Sequence, residues 1–130
     1  MLRLIDQGWR LVADDQVMVS AEAGSLRAAP PAALHGMLEV RGLGILRDLP
    51  VAAPAVLRLV ARLVPRAEIP RLPEPEAWTA AGITLPVIRL DAFAASAAAL
   101  LRLALLAALG RARLEAGAFT ESQFTGPQGA

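Results

Sequence analysis

Leu2, Leu4 and Ile5 fall on one side of a helix, and Gly8 can end it. From residue 10 to residue 17 the chain then reads as a strand, interrupted by the adjacent acids Asp14 and Asp15. A single helical turn buries little and is costly to nucleate, so this opening reads as the end of a longer helix whose first half is outside the sequence. Residues 16–20 continue as a strand, residues 22–25 have the composition of a hairpin turn, and residues 26–28 are the expected return. Pro30 and Pro31 block a ladder and open a short helical turn that ends at Gly36.

Residues 37–46, MLEVRGLGIL, combine strand-forming Val40 and Ile45 with two glycines, Gly42 and Gly44. Glycines inside a strand pattern predict a bulge or a close backbone approach, with a tight structural turn as the plainer alternative. Residues 56–64, VLRLVARLV, fit a helix with Arg58 and Arg62 on one side. A strand fits without remainder, with Leu57, Leu59, Ala61 and Leu63 on one face and the arginines opposite, so a strand is expected. Pro70, Pro73 and Pro75 make residues 66–76 an irregular connector. Residues 85–90 predict a short strand, and Asp91 is the expected N-cap of an Ala/Leu helix ended by Gly110 or Gly117. The expected organisation is one domain over residues 1–114 and a disordered tail over 115–130, polar and Gly-rich from Thr120 onward.

At 130 residues, 55% hydrophobic and 19% charged, the chain has room for one modest core and is not a disordered sequence. A net charge of +1 comes with arginines spread singly among acids, which disfavours a nucleic-acid surface. All 13 basic residues are Arg, so a mechanism that needs a lysine must obtain it elsewhere. Absence of Cys excludes disulfides and thiolate chemistry, and the single His35 cannot build a histidine metal cluster. Arg3 and Asp6 break the apolar run at the N-terminus, so no secretory signal is expected and the cytoplasm is the default location.

Residues 92–110 carry only Arg102 as a charge and approach the ~20 residues needed to cross a bilayer. Eleven of these residues are Ala, Ser or Gly, and a central Arg costs about 2.5–3.5 kcal/mol on insertion scales, so a buried or interface helix is expected. A membrane anchor is the competing reading.

Two constellations can carry chemistry: Asp14-Asp15, and Glu39-Val-Arg41-Gly-Leu-Gly44. Acids at the carboxyl end of a strand can hold a magnesium ion or take a proton from an attacking hydroxyl. An Arg between glycines can approach a phosphate closely. The plainer alternatives are a capped strand end and a solvated alternation of charges.

The run from Leu4 through Val-Ala-Asp-Asp15, then Ala29-Pro-Pro, Leu34, Gly36 and Leu38-Glu-Val-Arg-Gly-Leu-Gly-Ile45, resembles the catalytic domain of HPr kinase/phosphorylase. It is most similar to short bacterial forms made of that domain alone, and the likeness runs from residue 2 to about residue 105, weaker after Leu46. The resemblance implies an α/β fold of the phosphoenolpyruvate-carboxykinase-like P-loop kinase type, present in part, with mixed strands and a C-terminal Ala/Leu helix. It implies ATP- and Mg²⁺-dependent phosphorylation of a serine on the phosphocarrier HPr, and phosphorolytic removal of that phosphate. Such activity regulates carbohydrate metabolism through the phosphotransferase system. By position, Asp15 would accept the proton in phosphorylation and donate it in reverse. Glu39 would bind Mg²⁺, and Arg41 would meet phosphate charge. Residues 38–47 would form the loop used in both directions, with Leu38, Glu39, Val40, Arg41, Gly42, Leu43, Gly44 and Ile45 as its site residues. A homo-oligomer, hexameric in relatives, is also implied.

The departures are equally specific. Family members carry a P-loop, G-x-x-x-x-G-K-S/T, ahead of the helix that ends at this Gly8, and these 130 residues contain neither that motif nor a lysine. The family's upstream catalytic His is missing, and His35 does not stand at its position. Near residues 50–56 the Gly-rich segment with a catalytic Arg has no counterpart. The motif tied to dephosphorylation corresponds at best to residues 90–96, without Gly or Arg, and no site residue is carried over there. Two expectations follow: a domain cut short by an internal methionine taken as the start, binding ATP poorly, or a non-catalytic module derived from that domain. The truncated form should be weakly stable and expose a hydrophobic groove.

Overall fold

A computed structural model describes residues 1–119. The polar tail expected from Thr120 lies outside the described residues. The chain is mixed α/β and divides into two compact units, Met1–Leu57 and the part that begins at Arg58.

In the first unit, helix α1 (Leu2–Asp6) ends as the sequence predicts. Gly8 takes φ +91°, and the N–H groups of Gly8 and Trp9 bond to the carbonyls of Ile5 and Leu4 at 3.0 Å each. That paired arrangement satisfies carbonyls the helix end leaves open. Strands β1 (Met18–Glu22) and β2 (Ser25–Ala29) form the expected hairpin, and β2 also pairs with β5 (Ala55–Val56). Leu26 and Ala28 point from β2 into the core, whereas every residue of the edge strand β1 is exposed. Pro31 leads into a 3-10 turn over Ala32–Leu34, and β3 (Leu38–Val40) with β4 (Gly44–Leu46) makes a second hairpin.

No strand forms over residues 10–17. Leu11 makes one isolated parallel bridge to Val51, and Asp14 and Asp15 lie in a bend. A ladder needs a partner along its length; here the partner meets the segment at one residue, and the Asp pair favours side-chain-to-backbone bonding over extended pairing. The expected strand over 56–64 is likewise two pieces. Val56 ends β5 in the first unit, while β6 (Val60–Leu63) belongs to the second, so the alternation spans the boundary between two sheets. Leu63 on the supposed apolar face is 65% exposed.

In the second unit, the order is β6-β8-β7, with β8 (Ile83–Leu90) parallel to β6 and antiparallel to β7 (Glu76–Ala80). Leu85, Val87, Ile88 and Leu90 are buried, as expected for the central strand of a sheet. The strand predicted over 85–90 therefore starts earlier and runs through Pro86, which faces Ala77. One missing donor is outweighed by the apolar area that residues 85–88 bury. The β7–β8 hairpin is not expected from the sequence, although its turn, Ala81-Gly82, has the same Ala-Gly composition as the first hairpin's. Glu76 pairs with Arg62 on β6 and Arg89 on β8, and Arg89 Nη1 donates to the Glu68 carbonyl at 3.1 Å. These ion pairs are partly exposed, so they fix register more than they add stability.

Asp91 does not cap the Ala/Leu helix. Its Oδ1 accepts the Phe93 N–H at 3.0 Å, consecutive turns occupy residues 91–96, and α2 spans Ala97–Ala108. The local Asp turn competes with helix initiation and wins. Gly110 ends α2 with φ +72° and the same paired bonding seen at Gly8: Gly110 N–H to Ala107 O at 3.0 Å, and Arg111 N–H to Leu106 O at 2.8 Å. At 12 residues α2 is about 18 Å long, short of the ~30 Å apolar thickness of a bilayer. Among the described residues no helix is long and apolar enough to cross a membrane.

Both two-residue hairpin turns are Ala-Gly with positive φ at each position: Ala23 +51° and Gly24 +78°, Ala81 +49° and Gly82 +75°. Alanine is strained there, while Asn tolerates the left-handed region. Replacing Ala23 or Ala81 by Asn is expected to raise stability by about 0.5–1 kcal/mol each, read as a higher urea midpoint at unchanged slope. A lower midpoint would contradict the turn geometry.

Candidate functional site

The site is assembled by tethers between short segments of the first unit. The Ala52 N–H donates to the Leu11 carbonyl at 2.8 Å, beside the Leu11–Val51 bridge. Three residues on, the Asp14 carboxylate accepts the Glu39 N–H at 3.0 Å. Residues 11–14 are thus held at both ends, and Asp15 is presented as the next residue, exposed to solvent.

The β3–β4 hairpin supplies the other side chains. Leu38 pairs with Leu46 and is 3% exposed, while the Glu39–Ile45 pair occupies the opposite, solvent face. Alternation along a strand thus sends Glu39 outward because Leu38 is needed in the core. Arg41 stands exposed at the tip, where the Leu43 N–H returns to the Val40 carbonyl at 3.0 Å. Gly42 has φ +84° and Gly44 +129°, and a Cβ on either would meet nothing within 4 Å. The glycines therefore serve a tight turn rather than a close approach within the chain. Gly36 differs: at φ +71° its added Cβ would lie 3.0 Å from the Leu49 carbonyl oxygen, and its own carbonyl accepts the Leu49 N–H at 3.1 Å. That clamp closes the base of the hairpin.

Asp15, Glu39 and Arg41 are all exposed and belong to segments that the Asp14–Glu39 bond joins across 25 residues of sequence. A proton acceptor, a hard oxygen ligand and a fixed cation are the groups that phosphoryl transfer uses. Among the described residues no group of three or more His, Asp and Glu could hold a metal ion. Mg²⁺ commonly takes one or two protein carboxylates and completes its shell with phosphate and water, a role that one exposed carboxylate such as Glu39 fits. Among the described residues no glycine-rich G-x-x-x-x-G-K-S/T loop is present to cradle a phosphate. Two shallow apolar cavities, about 250 and 180 Å³, lie around Ile5, Trp9 and Leu11 and include none of the three charged residues. Asp14 and Gly36 escape sequence reading as site-building residues, because Asp14 is chemically equivalent to Asp15 and Gly36 has the setting of an ordinary turn ending.

Residues 1–50 match the family model described as HPr Serine kinase C-terminal domain, a span that contains Asp15, Glu39 and Arg41. HPr kinase/phosphorylase of Clostridium novyi (strain NT) is 53% identical over 49 residues, which are 38% of this chain and 16% of that protein. The Clostridium kluyveri (strain ATCC 8527) protein of the same name is 51% identical over 45 residues, 35% of this chain and 15% of the relative. The match thus spans about a sixth of the length of these curated relatives. The solved structure of the Hpr(Ser) kinase/phosphatase from Coxiella burnetii aligns with a TM-score of 0.68 and 26% identity, covering 82% of this chain and 75% of that one. The chain therefore has the HPr kinase/phosphatase fold, with the sequence likeness concentrated in residues 1–50 and the fold likeness extending well beyond them.

Proposed function

We propose that this chain carries part of the phosphoryl-transfer centre of an HPr kinase/phosphorylase-like enzyme, acting with ATP and Mg²⁺ on a serine hydroxyl of an HPr-type phosphocarrier. The observation that carries the proposal is the Asp14–Glu39 hydrogen bond, which joins the acid pair to the strand bearing Glu39 and, two residues later, Arg41. The family-model match over residues 1–50 and the shared fold support it.

In the forward direction Asp15 takes the proton from the serine oxygen as that oxygen attacks the γ-phosphorus, with ADP leaving. In reverse, an oxygen of inorganic phosphate attacks the phosphoserine phosphorus to form pyrophosphate while the serine O–P bond breaks, and Asp15 gives its proton to the departing serine oxygen. Mg²⁺, when bound, neutralises charge on the phosphate oxygens. Glu39 would hold it in this reading, and Arg41 would meet phosphate charge. The residues of this chain fit the proton-transfer and charge-neutralising roles better than the binding of ATP itself.

An alternative reading, a non-catalytic regulatory module built on the same core, is favoured by the lack of any Lys in all 130 residues. Radiolabelled phosphate transfer from ATP to HPr separates the two. Transfer is expected from a chain extended at its N-terminus with the P-loop strand and helix of a relative, and little from the 130 residues alone. Inactivity of both would favour the non-catalytic module.

A further inference from the structure

Asp14 and Asp15 are adjacent and chemically alike, yet the structure gives them different situations. Asp15 is exposed, whereas Asp14 is half-buried and spends one carboxylate oxygen on the Glu39 backbone N–H at 3.0 Å. We propose that Asp14 is a positioning residue, a latch that holds the Asp15 segment against the Glu39 strand so that the two functional carboxylates act as a unit. This rests on the function proposed above.

The bond has three features that suit a latch. It runs from a side chain to a backbone group, so it fixes the separation of the two segments whatever the Glu39 side chain is doing. It involves an ionised acceptor, the stronger class of hydrogen bond. It also works with the Leu11 tether: Leu11 is held to Val51 and Ala52, Asp14 to Glu39, and the Leu38–Leu46 pair seats the Glu39 strand in the core. Without Asp14 the segment between Leu11 and the start of β1 at Met18 loses its tether to the Glu39 strand, and Asp15 can move away from the hairpin. A small displacement of a catalytic group is enough to lose much of its effect.

A latch needs an acceptor and no negative charge, which distinguishes it from a proton carrier or metal ligand. Asp14→Asn keeps an acceptor oxygen; Asp14→Ala does not. Amide hydrogen exchange on the 130-residue chain reads the bond directly. The Glu39 amide is expected to exchange about tenfold faster in Asp14→Ala and close to the parental rate in Asp14→Asn. Slow exchange at Leu26 and Val87 in the same spectra reports that each variant is folded. In the chain extended with a P-loop segment, kcat for HPr phosphorylation should follow the same order, falling about a hundredfold in Asp14→Ala and only a few-fold in Asp14→Asn, with the KM for ATP little changed. Unchanged Glu39 exchange in Asp14→Ala would overturn the latch, as would an Asp14→Asn enzyme as impaired as Asp14→Ala. If the extended parent transfers no phosphate, the proposed function fails and the exchange pattern alone decides whether the latch exists.

Discussion

Replacing Asp15 by Asn in a chain extended with a P-loop segment is expected to lower kcat for HPr phosphorylation by about 10²- to 10⁴-fold, the range a general base contributes. Asn matches Asp in size but cannot take the serine proton. Because the Asp15 side chain is exposed, the substitution removes no buried contact, and stability should be unchanged. The loss should appear in kcat, with little change in the KM for ATP, because the missing interaction forms only as the hydroxyl attacks. The reverse reaction, followed as phosphate-dependent formation of pyrophosphate from phosphorylated HPr, should fall in parallel if, as proposed, one carboxylate serves both directions. Glu39→Gln should behave differently, raising the Mg²⁺ concentration needed for half-maximal rate. Steady-state rates in both directions check this, and an Asp15→Asn enzyme retaining most of its activity would remove Asp15 from the proton-transfer role.

Replacing Gly36 by Val is expected to destabilise the first unit by at least about 2–3 kcal/mol. Moving a side chain into the left-handed region costs roughly 1–2 kcal/mol, more for a β-branched residue. Beyond that, the added Cβ would sit 3.0 Å from the Leu49 carbonyl oxygen and 3.3 Å from its nitrogen, both backbone atoms that cannot rotate aside. Relieving the contact stretches the 3.1 Å bond from the Leu49 N–H to the Gly36 carbonyl, worth about another 1 kcal/mol. Gly42→Ala is the control. Its φ is +84°, but nothing lies within 4 Å of its Cβ, so only the conformational cost of about 1 kcal/mol remains. Urea unfolding of both variants reads the difference. Equal losses would mean that the Gly36–Leu49 approach carries no weight. The buried core of this unit is small, Leu11, Leu26, Ala28 and Leu38, so a loss of that size is a large share of its stability.

Much of the local structure was legible because its signals are local. Gly8 and Gly110 end helices where glycine's conformational freedom is used, and Gly24 completes the first hairpin where a left-handed residue is required. The pattern failed where a partner strand decided the outcome. Residues 10–17 have a strand's composition but touch a partner only at Leu11, and residues 56–64 alternate cleanly yet serve two different sheets. The strand expected over residues 85–90 extends back to Ile83 through Pro86, because its neighbours on β8 are buried. At the start of α2 the competition stayed local, but two local signals at Asp91, helix cap and Asp turn, could not be ranked from composition.

The sequence by itself determined which residue types are available in this chain and which are not. It contains Asp15, Glu39 and Arg41 in a recognisable spacing, no Lys, no Cys and no phosphate-binding glycine loop, and residue types at fixed positions carry that information without reference to a partner. Only the tertiary structure decided which acid bonds to the Glu39 strand and which is presented to solvent. Asp14 and Asp15 are indistinguishable as letters, and the difference arises from a hydrogen bond that closes a loop of 25 residues. Long-range closure depends on which backbone groups the fold leaves unpaired at one place, a property of the packed chain and of no local stretch within it.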